Sequence, residues 1–271
     1  MTVREALAEA TAALDHAGVP SPAVDAEWLL AHVLGIRRSQ LYAADLDGRL
    51  DEFRTLVERR ASREPLAYIL GEWGFRGLTL VVDARVLIPR PETEAVVERC
   101  LTLLAETAEP TILDVGVGSG AIALALADER PDSVIVGTDA SAAALEVAEE
   151  NRRRIGLEER VRLVHGDLLA GETGPFDLVV ANPPYVAPEE LRRLEPELQH
   201  EPREALVGVG CELPIARAAG GVLRAGGTLV LEVEDGAACD VASMLVALGY
   251  ADVKVSNDLA GRQRVVDGRR R

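Results

Sequence analysis

The spacing of apolar positions changes twice along the chain. From Val3 the residues Ala6, Leu7, Ala10 and Leu14 recur every three or four positions until Gly18, the period of an amphipathic helix. Thr2 and Glu5 form a capping-box pattern at its start, and the glycine is a stop signal. Ser21-Pro22 opens a second helical stretch through Trp28, Leu29 and Leu30 that ends at Gly35. A third spans roughly Leu50 to Ala61, with Leu50, Phe53, Leu56 and Val57 on one face. Short amphipathic helices with brief loops predict a small helical bundle over residues 1–70. The run Trp73-Gly74-Phe75-Arg76-Gly77-Leu78-Thr79-Leu80-Val81-Val82 is rich in β-formers and punctuated by glycine, which predicts a β-hairpin linker over 71–88.

From residue 89 to 271 short apolar runs alternate with helical stretches. Strands are predicted at Thr111–Val115, Val134–Thr138, Val161–His165, Asp177–Ala181, Thr228–Val233, Ala251–Val255 and Gln263–Asp267. Helices are predicted at about Ala121–Glu129, Ala142–Ile155, Pro214–Leu223 and Ala237–Leu248. This alternation makes the fold α/β, with a doubly wound, mostly parallel seven-stranded sheet. Ahead of it, Ile88-Pro89-Arg90-Pro91-Glu92-Thr93-Glu94 opens a helix carrying Val96, Val97, Cys100, Leu101 and Leu104. Proline followed by acidic residues is ordinary helix-start chemistry. Arg90 and Glu92 are also candidates for polar contacts in the wall of a site.

Composition narrows the functional classes. With 29 Lys+Arg against 45 Asp+Glu the formal net charge is -16, which disfavours non-specific attraction to nucleic acid or anionic lipid. Cys100, Cys211 and Cys239 are far apart, and the four histidines have no metal-ligand spacing. The cysteines read as buried small hydrophobes, and no metal is expected. No apolar window approaches a membrane span, and the first residues lack a signal-peptide core, so a cytoplasmic location is expected.

The sharpest chemical signal is Asn182-Pro183-Pro184-Tyr185, directly after the apolar run Asp177–Ala181. The prolines cannot continue a sheet ladder, so the chain leaves at the carboxyl edge, where open α/β sheets bind ligands. The Asn182 side-chain carbonyl and the Pro183 carbonyl could accept both hydrogens of a planar amide or amine nitrogen, and Tyr185 could stack on the flat group. Asp114-Val115-Gly116-Val117-Gly118-Ser119-Gly120 joins the first strand of the sheet to a helix. Its glycine spacing departs from the dinucleotide pattern G-x-G-x-x-G. A carboxylate at Asp114 suits a ligand ammonium better than a pyrophosphate. Asp139, at the end of the second strand, could accept from ribose hydroxyls or cap the following helix. Asp167 and Leu168 after the third strand could meet an adenine ring or form a plain turn. Together these positions outline a pocket for S-adenosylmethionine.

The order of the helical head, Leu87–Glu94, Asp114–Gly120, Asp139, Asn182–Tyr185, His200-Glu201-Pro202 and the tail Asp258-Leu259-Ala260-Gly261-Arg262 resembles the HemK/PrmC-type methyltransferases over nearly the whole chain. The resemblance implies a Rossmann-like class I methyltransferase sheet that carries methyl from S-adenosylmethionine to a glutamine side-chain amide. The glutamine would be that of the Gly-Gly-Gln motif in peptide-chain release factors. It further implies that Gly116–Gly120, Asp139, Leu168 and Asn182 contact the cofactor and Asn182–Tyr185 hold the glutamine. The helical head would serve recognition of the protein substrate, with no nucleic acid or membrane partner and a monomeric enzyme. Val117 stands where the family frequently has Thr or Cys, and Glu232–Gly236 replaces a glycine-containing stretch. The rival readings are an adenine-N6 methyltransferase acting on DNA or RNA, an NAD-dependent oxidoreductase, and a non-catalytic S-adenosylmethionine- or protein-binding module. The first predicts a basic groove that the charge does not supply, and the second does not explain the glycine spacing.

Overall fold

A computed structural model describes residues 1–271, the side chain of Arg192 excepted. Its helices in chain order are α1 (Val3–His16), α2 (Pro22–Leu34), α3 (Leu50–Ala61), α4 (Leu66–Leu70), α5 (Glu94–Leu104), α6 (Ala121–Glu129), α7 (Ala142–Ile155), α8 (Arg203–Leu206), α9 (Glu212–Val222) and α10 (Ala238–Ala247). Its strands are β1 (Glu72–Phe75), β2 (Leu78–Val81), β3 (Thr111–Val115), β4 (Val134–Asp139), β5 (Val161–His165), β6 (Phe176–Ala181), β7 (Leu223–Glu232), β8 (Ala251–Asn257) and β9 (Gln263–Arg269). The chain divides into two compact units, Met1–Glu72 with Leu194–His200, and Trp73–Arg193 with Glu201–Arg271.

In the first unit the capping box at α1 is complete. Thr2 Oγ1 accepts from the Glu5 N–H at 3.2 Å, and Glu5 Oε2 accepts from the Thr2 N–H at 2.7 Å. The apolar faces read from the sequence bury Leu7, Leu14, Leu29, Leu30, Phe53 and Val57 in one core. Leu194–His200 is tied to this unit by charge. Glu197 pairs with Arg60 at 2.8 Å and Arg63 at 2.6 Å, and Arg60 also holds Asp25 at 2.7 Å. Each of these largely buried charges is offset by an opposite one, as burial of ions requires.

The second unit is built on a seven-stranded sheet of order β5-β4-β3-β6-β7-β9-β8, in which only β9 runs antiparallel to its neighbours. Strand periodicity sends alternate side chains to opposite faces. Ile112, Leu178, Val180 and Val230 enter one core with Val96, Val97 and Ile122, whereas Leu113, Val179, Ala181, Leu229 and Leu231 enter another with Ile215 and Leu245. The hairpin β1–β2 buries Phe75 and Leu80 in the first of these cores. β7 starts five residues earlier than the spacing predicts, because Gly226 and Gly227 bend the strand instead of ending it. A Cβ at Gly227 would lie 3.0 Å from the Phe176 and Asp177 carbonyls of β6. Of the three cysteines expected inside, Cys100 is buried, Cys211 is half-buried and Cys239, at the start of α10, is exposed.

One buried side chain joins elements that the sequence gives no reason to connect. Asn151 of α7 exchanges two hydrogen bonds with the Val81 backbone, 2.6 and 3.0 Å, and donates to the Ser119 carbonyl at 2.9 Å. Asn151→Leu would strand the buried Ser119 carbonyl and the two partly buried groups of Val81 at up to about 1–3 kcal/mol each. The expected outcome is a fall in Tm of many degrees in a calorimetric scan, against a small change for exposed Glu150→Ala.

Candidate active site

β3 and β6 are neighbours, yet the chain goes from β3 outward through β4 and β5 before returning to β6. Such a reversal leaves a crevice at the carboxyl ends of the two strands. Val115 pairs with Ala181 in register, so Gly116 and Asn182 leave the sheet side by side. A cavity of about 690 Å³ opens there. It gathers Gly116, Val117, Gly118, Ser119, Asp139, Asp167, Leu168, Asn182, Pro183 and Pro184 from the sequence-derived set, whereas Asp114, Gly120 and Tyr185 are not on its wall.

The three loop glycines all have positive φ, +77°, +56° and +88°, a region that strains other residues. A Cβ on Gly116 or Gly118 would meet nothing within 4 Å, so these two leave open space on the cavity wall. A Cβ on Gly120 would lie 2.8 Å from Leu124, so the third lets α6 close onto the loop. The Thr138 carbonyl accepts from the N–H groups of Gly116 and Val117 at 2.8 and 2.9 Å. Asp139 accepts from Gly118 N–H and Ser141 N–H, both at 2.8 Å. It therefore shapes the loop while facing the cavity, and each carboxylate oxygen retains a free lone pair. The helix cap is Ser141, whose Oγ accepts from the Ala144 N–H at 3.2 Å.

Asp114 follows the parity of Ile112 and points beneath α6. Its Oδ2 accepts from the Ala123 N–H at 3.0 Å, and Oδ1 has no partner among the described residues. Burial pushes its pKa up to about 7, the Ala123 N–H opposes the rise, and the Asp139 charge adds to it. Asp167 is exposed on the rim. Leu168 sits at φ +48° and accepts through its carbonyl from Thr138 Oγ1 at 2.6 Å.

On the β6 side, Asn182 Nδ2 donates to Thr93 Oγ1 at 3.3 Å. With the donor end committed, Oδ1 is the end left without a protein partner among the described residues. Thr93 is buried at the last position of a 3₁₀ turn, Pro91–Thr93, that is clamped on both flanks. Glu201, itself buried, accepts from the Ile88 N–H at 3.0 Å and pairs with Arg90. Arg262 holds Glu92 at 2.6 Å and Asp258 at 3.1 Å. Arg90 lines the cavity, while Glu92 is turned to the tail and does not. Gly208 closes the far side of the loop. A Cβ there would lie 2.8 Å from the Pro184 carbonyl oxygen, and Val186 is bridged to Leu206 and Gly208 by backbone hydrogen bonds of 3.0 and 3.1 Å. Tyr185 is half-buried, and burial raises its pKa. Glu232, at the end of β7, is only 1% exposed and its Oε2 is unpartnered among the described residues. Burial pushes it up to about 7, opposed by the neighbouring Thr93 hydroxyl and the charge of Arg264.

Sequence reasoning did not single out the Thr93 hydroxyl, Glu201, Gly208 or the Glu232 carboxyl for these parts. Thr93 and Glu201 stood inside recognised motifs, but their partners lie 89 and 113 residues away.

Residues 5–71 match the family described as PrmC N-terminal domain, and residues 96–235 match the methyltransferase small domain. The chain is 42% identical over 278 residues to the release factor glutamine methyltransferase of Deinococcus radiodurans, covering 100% of this chain and 99% of that one. It is 37% identical over 281 residues to the protein of the same description from Caulobacter vibrioides, covering 99% and 96%. Among solved structures, a methyltransferase from Pyrococcus furiosus aligns with a TM-score of 0.53 at 17% identity, over 82% of this chain and 98% of that one. The 16S rRNA N2 G1207 methyltransferase of T. thermophilus, solved with AdoMet and guanosine, aligns with a TM-score of 0.53 at 17% identity, over 74% of this chain and 50% of that one. Likeness at this identity bears on the fold alone.

Asp114 carries a pH signature. Its folded pKa of about 7 stands above its ordinary value of 3.8, so the folded chain binds the proton more tightly than the unfolded one. Its contribution to stability is complete below about pH 4 and is lost as pH rises through 7, by up to roughly 4 kcal/mol. Relative to the wild type, Asp114→Asn should therefore gain stability between pH 5 and 7 and level off above 7. Denaturant titrations at each pH check this; a difference independent of pH would contradict it.

Proposed function

This chain belongs to the release factor glutamine methyltransferase family, and on that premise we propose that it methylates the side-chain amide nitrogen of the Gly-Gly-Gln glutamine in a peptide-chain release factor. The observation that carries the reading is Asn182, whose amide donates to Thr93 and keeps its acceptor at the mouth of the cavity. An amide nitrogen is a poor nucleophile because its lone pair is delocalised. Asn182 Oδ1 and the Pro183 carbonyl accept its two hydrogens, which fixes the plane of the amide and aims the lone pair at the cavity.

S-adenosylmethionine supplies an activated methyl group on sulfur. The cavity suits such a ligand on three grounds. The cradle at Gly116 and Gly118 is open, Asp139 faces it with acceptor capacity to spare, and the unpaired Asp114 Oδ1 beneath the loop adds a negative potential favourable to an ammonium. Asp167 and Leu168 at the rim suit the adenine, one as an acceptor and the other as an apolar surface. No metal enters this scheme. On methylation the target nitrogen would give up one of the protons held by Asn182 and Pro183, and that proton would pass to water. A strong base is not needed, because the alkylated nitrogen is far more acidic than the amide. Pro184, held by Gly208, keeps the loop from drifting. The first unit serves to recognise the rest of the protein substrate, and the setting is the cytoplasm.

The test is mass spectrometry of a purified release factor, and separately of an adenine-containing duplex, after incubation with S-adenosylmethionine. The expected result is one methyl group on the Gly-Gly-Gln glutamine. Asn182→Ala should lower kcat at least about a hundredfold while S-adenosylhomocysteine raises its Tm as it does for the wild type. Methylation of the duplex alone would overturn the assignment, and equal losses of turnover and cofactor binding would remove Asn182 from positioning.

A further inference from the structure

A hydroxyl has one hydrogen to give, and this limits how Asn182 can be held. Its Nδ2 donates to Thr93 Oγ1 at 3.3 Å, so the Thr93 hydrogen must point elsewhere. Were that hydrogen free, the hydroxyl could as well donate to Asn182 Oδ1, and the amide would turn over with its NH2 toward the cavity. An NH2 facing the N–H groups of a target amide repels it. Some group must therefore take the Thr93 hydrogen.

Glu232 is that group by position and by chemistry. Ala181 and Leu231 are paired in register, so Asn182 and Glu232 leave β6 and β7 side by side. They follow the parity of Val180 and Val230, which share a core with Val96 and Val97 of α5. Thr93 immediately precedes α5 and is 4% exposed. With Asn182 bonded to it and Glu232 leaving the sheet beside Asn182, the Thr93 hydroxyl lies next to the Glu232 carboxyl and holds its pKa down. Stability does not account for that carboxyl, since a buried acid with an unpaired oxygen costs folding free energy. Arg264 keeps a cationic neighbour beside it while spending Nη1 on the Val233 carbonyl at 3.0 Å.

We propose that Glu232 and Thr93 are positioning residues that set the polarity of Asn182. The carboxylate takes the Thr93 hydrogen, Thr93 takes a hydrogen of Asn182 Nδ2, and Asn182 is left with its acceptor facing the substrate. The inference rests on the amide-methylation reading, and both residues act through Asn182.

The experiment measures kcat on a Gly-Gly-Gln substrate, Kd for S-adenosylhomocysteine and Tm for the wild type, Glu232→Met, Thr93→Val, the double variant and Thr93→Ser. Glu232→Met and Thr93→Val should each lower kcat by at least about tenfold, with Kd nearly unchanged and Tm of Glu232→Met not lowered. The double variant should be no slower than either single one, because both break the same chain. Thr93→Ser keeps the hydroxyl and should stay within about threefold of the wild type. Unchanged kcat in Glu232→Met, losses that multiply in the double variant, or a Thr93→Ser as slow as Thr93→Val would overturn the proposal. Should Glu232→Met fail to fold, the contrast between Thr93→Val and Thr93→Ser decides. A wild type that binds S-adenosylhomocysteine but methylates no glutamine would overturn the reading beneath it instead.

Discussion

The parallel pairing of β3 with β6 is the constraint on which the site depends. Because Val115 and Ala181 end level, a glycine turn and a proline exit emerge next to each other from the middle of the sheet. One makes space and the other fills it. Open Cβ positions at Gly116 and Gly118 leave room for a ligand, and two prolines deny the β6 exit any alternative path through the ladder. A shift of one residue between these strands would turn Asn182 to the opposite face of the sheet and dismantle both halves at once.

The rim is then tuned by groups that lie far away in the chain. Glu201 holds Ile88 and Arg90, Arg262 holds Glu92, and the turn between them delivers Thr93 to Asn182. Gly208 does the same for Pro184 by having no side chain where one would collide. Electrostatics follow from this burial. Asp114 and Glu232 sit on the same face of the sheet, each with an unpaired oxygen and a pKa near 7. That is the kind of cost a chain bears at a working site more than in a core.

The chain's periodicities made most of this architecture legible. The capping box at Thr2, the helix stops at Gly18 and Gly35 and the run Asp177–Ala181 are local signals, and local signals fix elements. The seven-stranded, mostly parallel sheet followed from alternation, as did the residues at its carboxyl edge. What stayed hidden has a common physical cause. Whether Tyr185 lines the cavity, whether Arg90 and Glu92 meet a ligand or Glu201 and Arg262, and what Asn151 ties together depend on side chains meeting across long sequence separations. Asp114 is the instructive case. Strand parity places it with Ile112 and not on the cavity wall, a conclusion open to anyone who counts the alternation from Ile112.

The central claim concerns the direction of one amide, and a crystal structure with S-adenosylhomocysteine and a Gly-Gly-Gln peptide tests it directly. The account predicts the sulfur within the cavity between Gly116 and Asn182, and the glutamine nitrogen within hydrogen-bond distance of both Asn182 Oδ1 and the Pro183 carbonyl. A glutamine bound elsewhere, or one whose carbonyl oxygen meets Asn182 Nδ2, would contradict it.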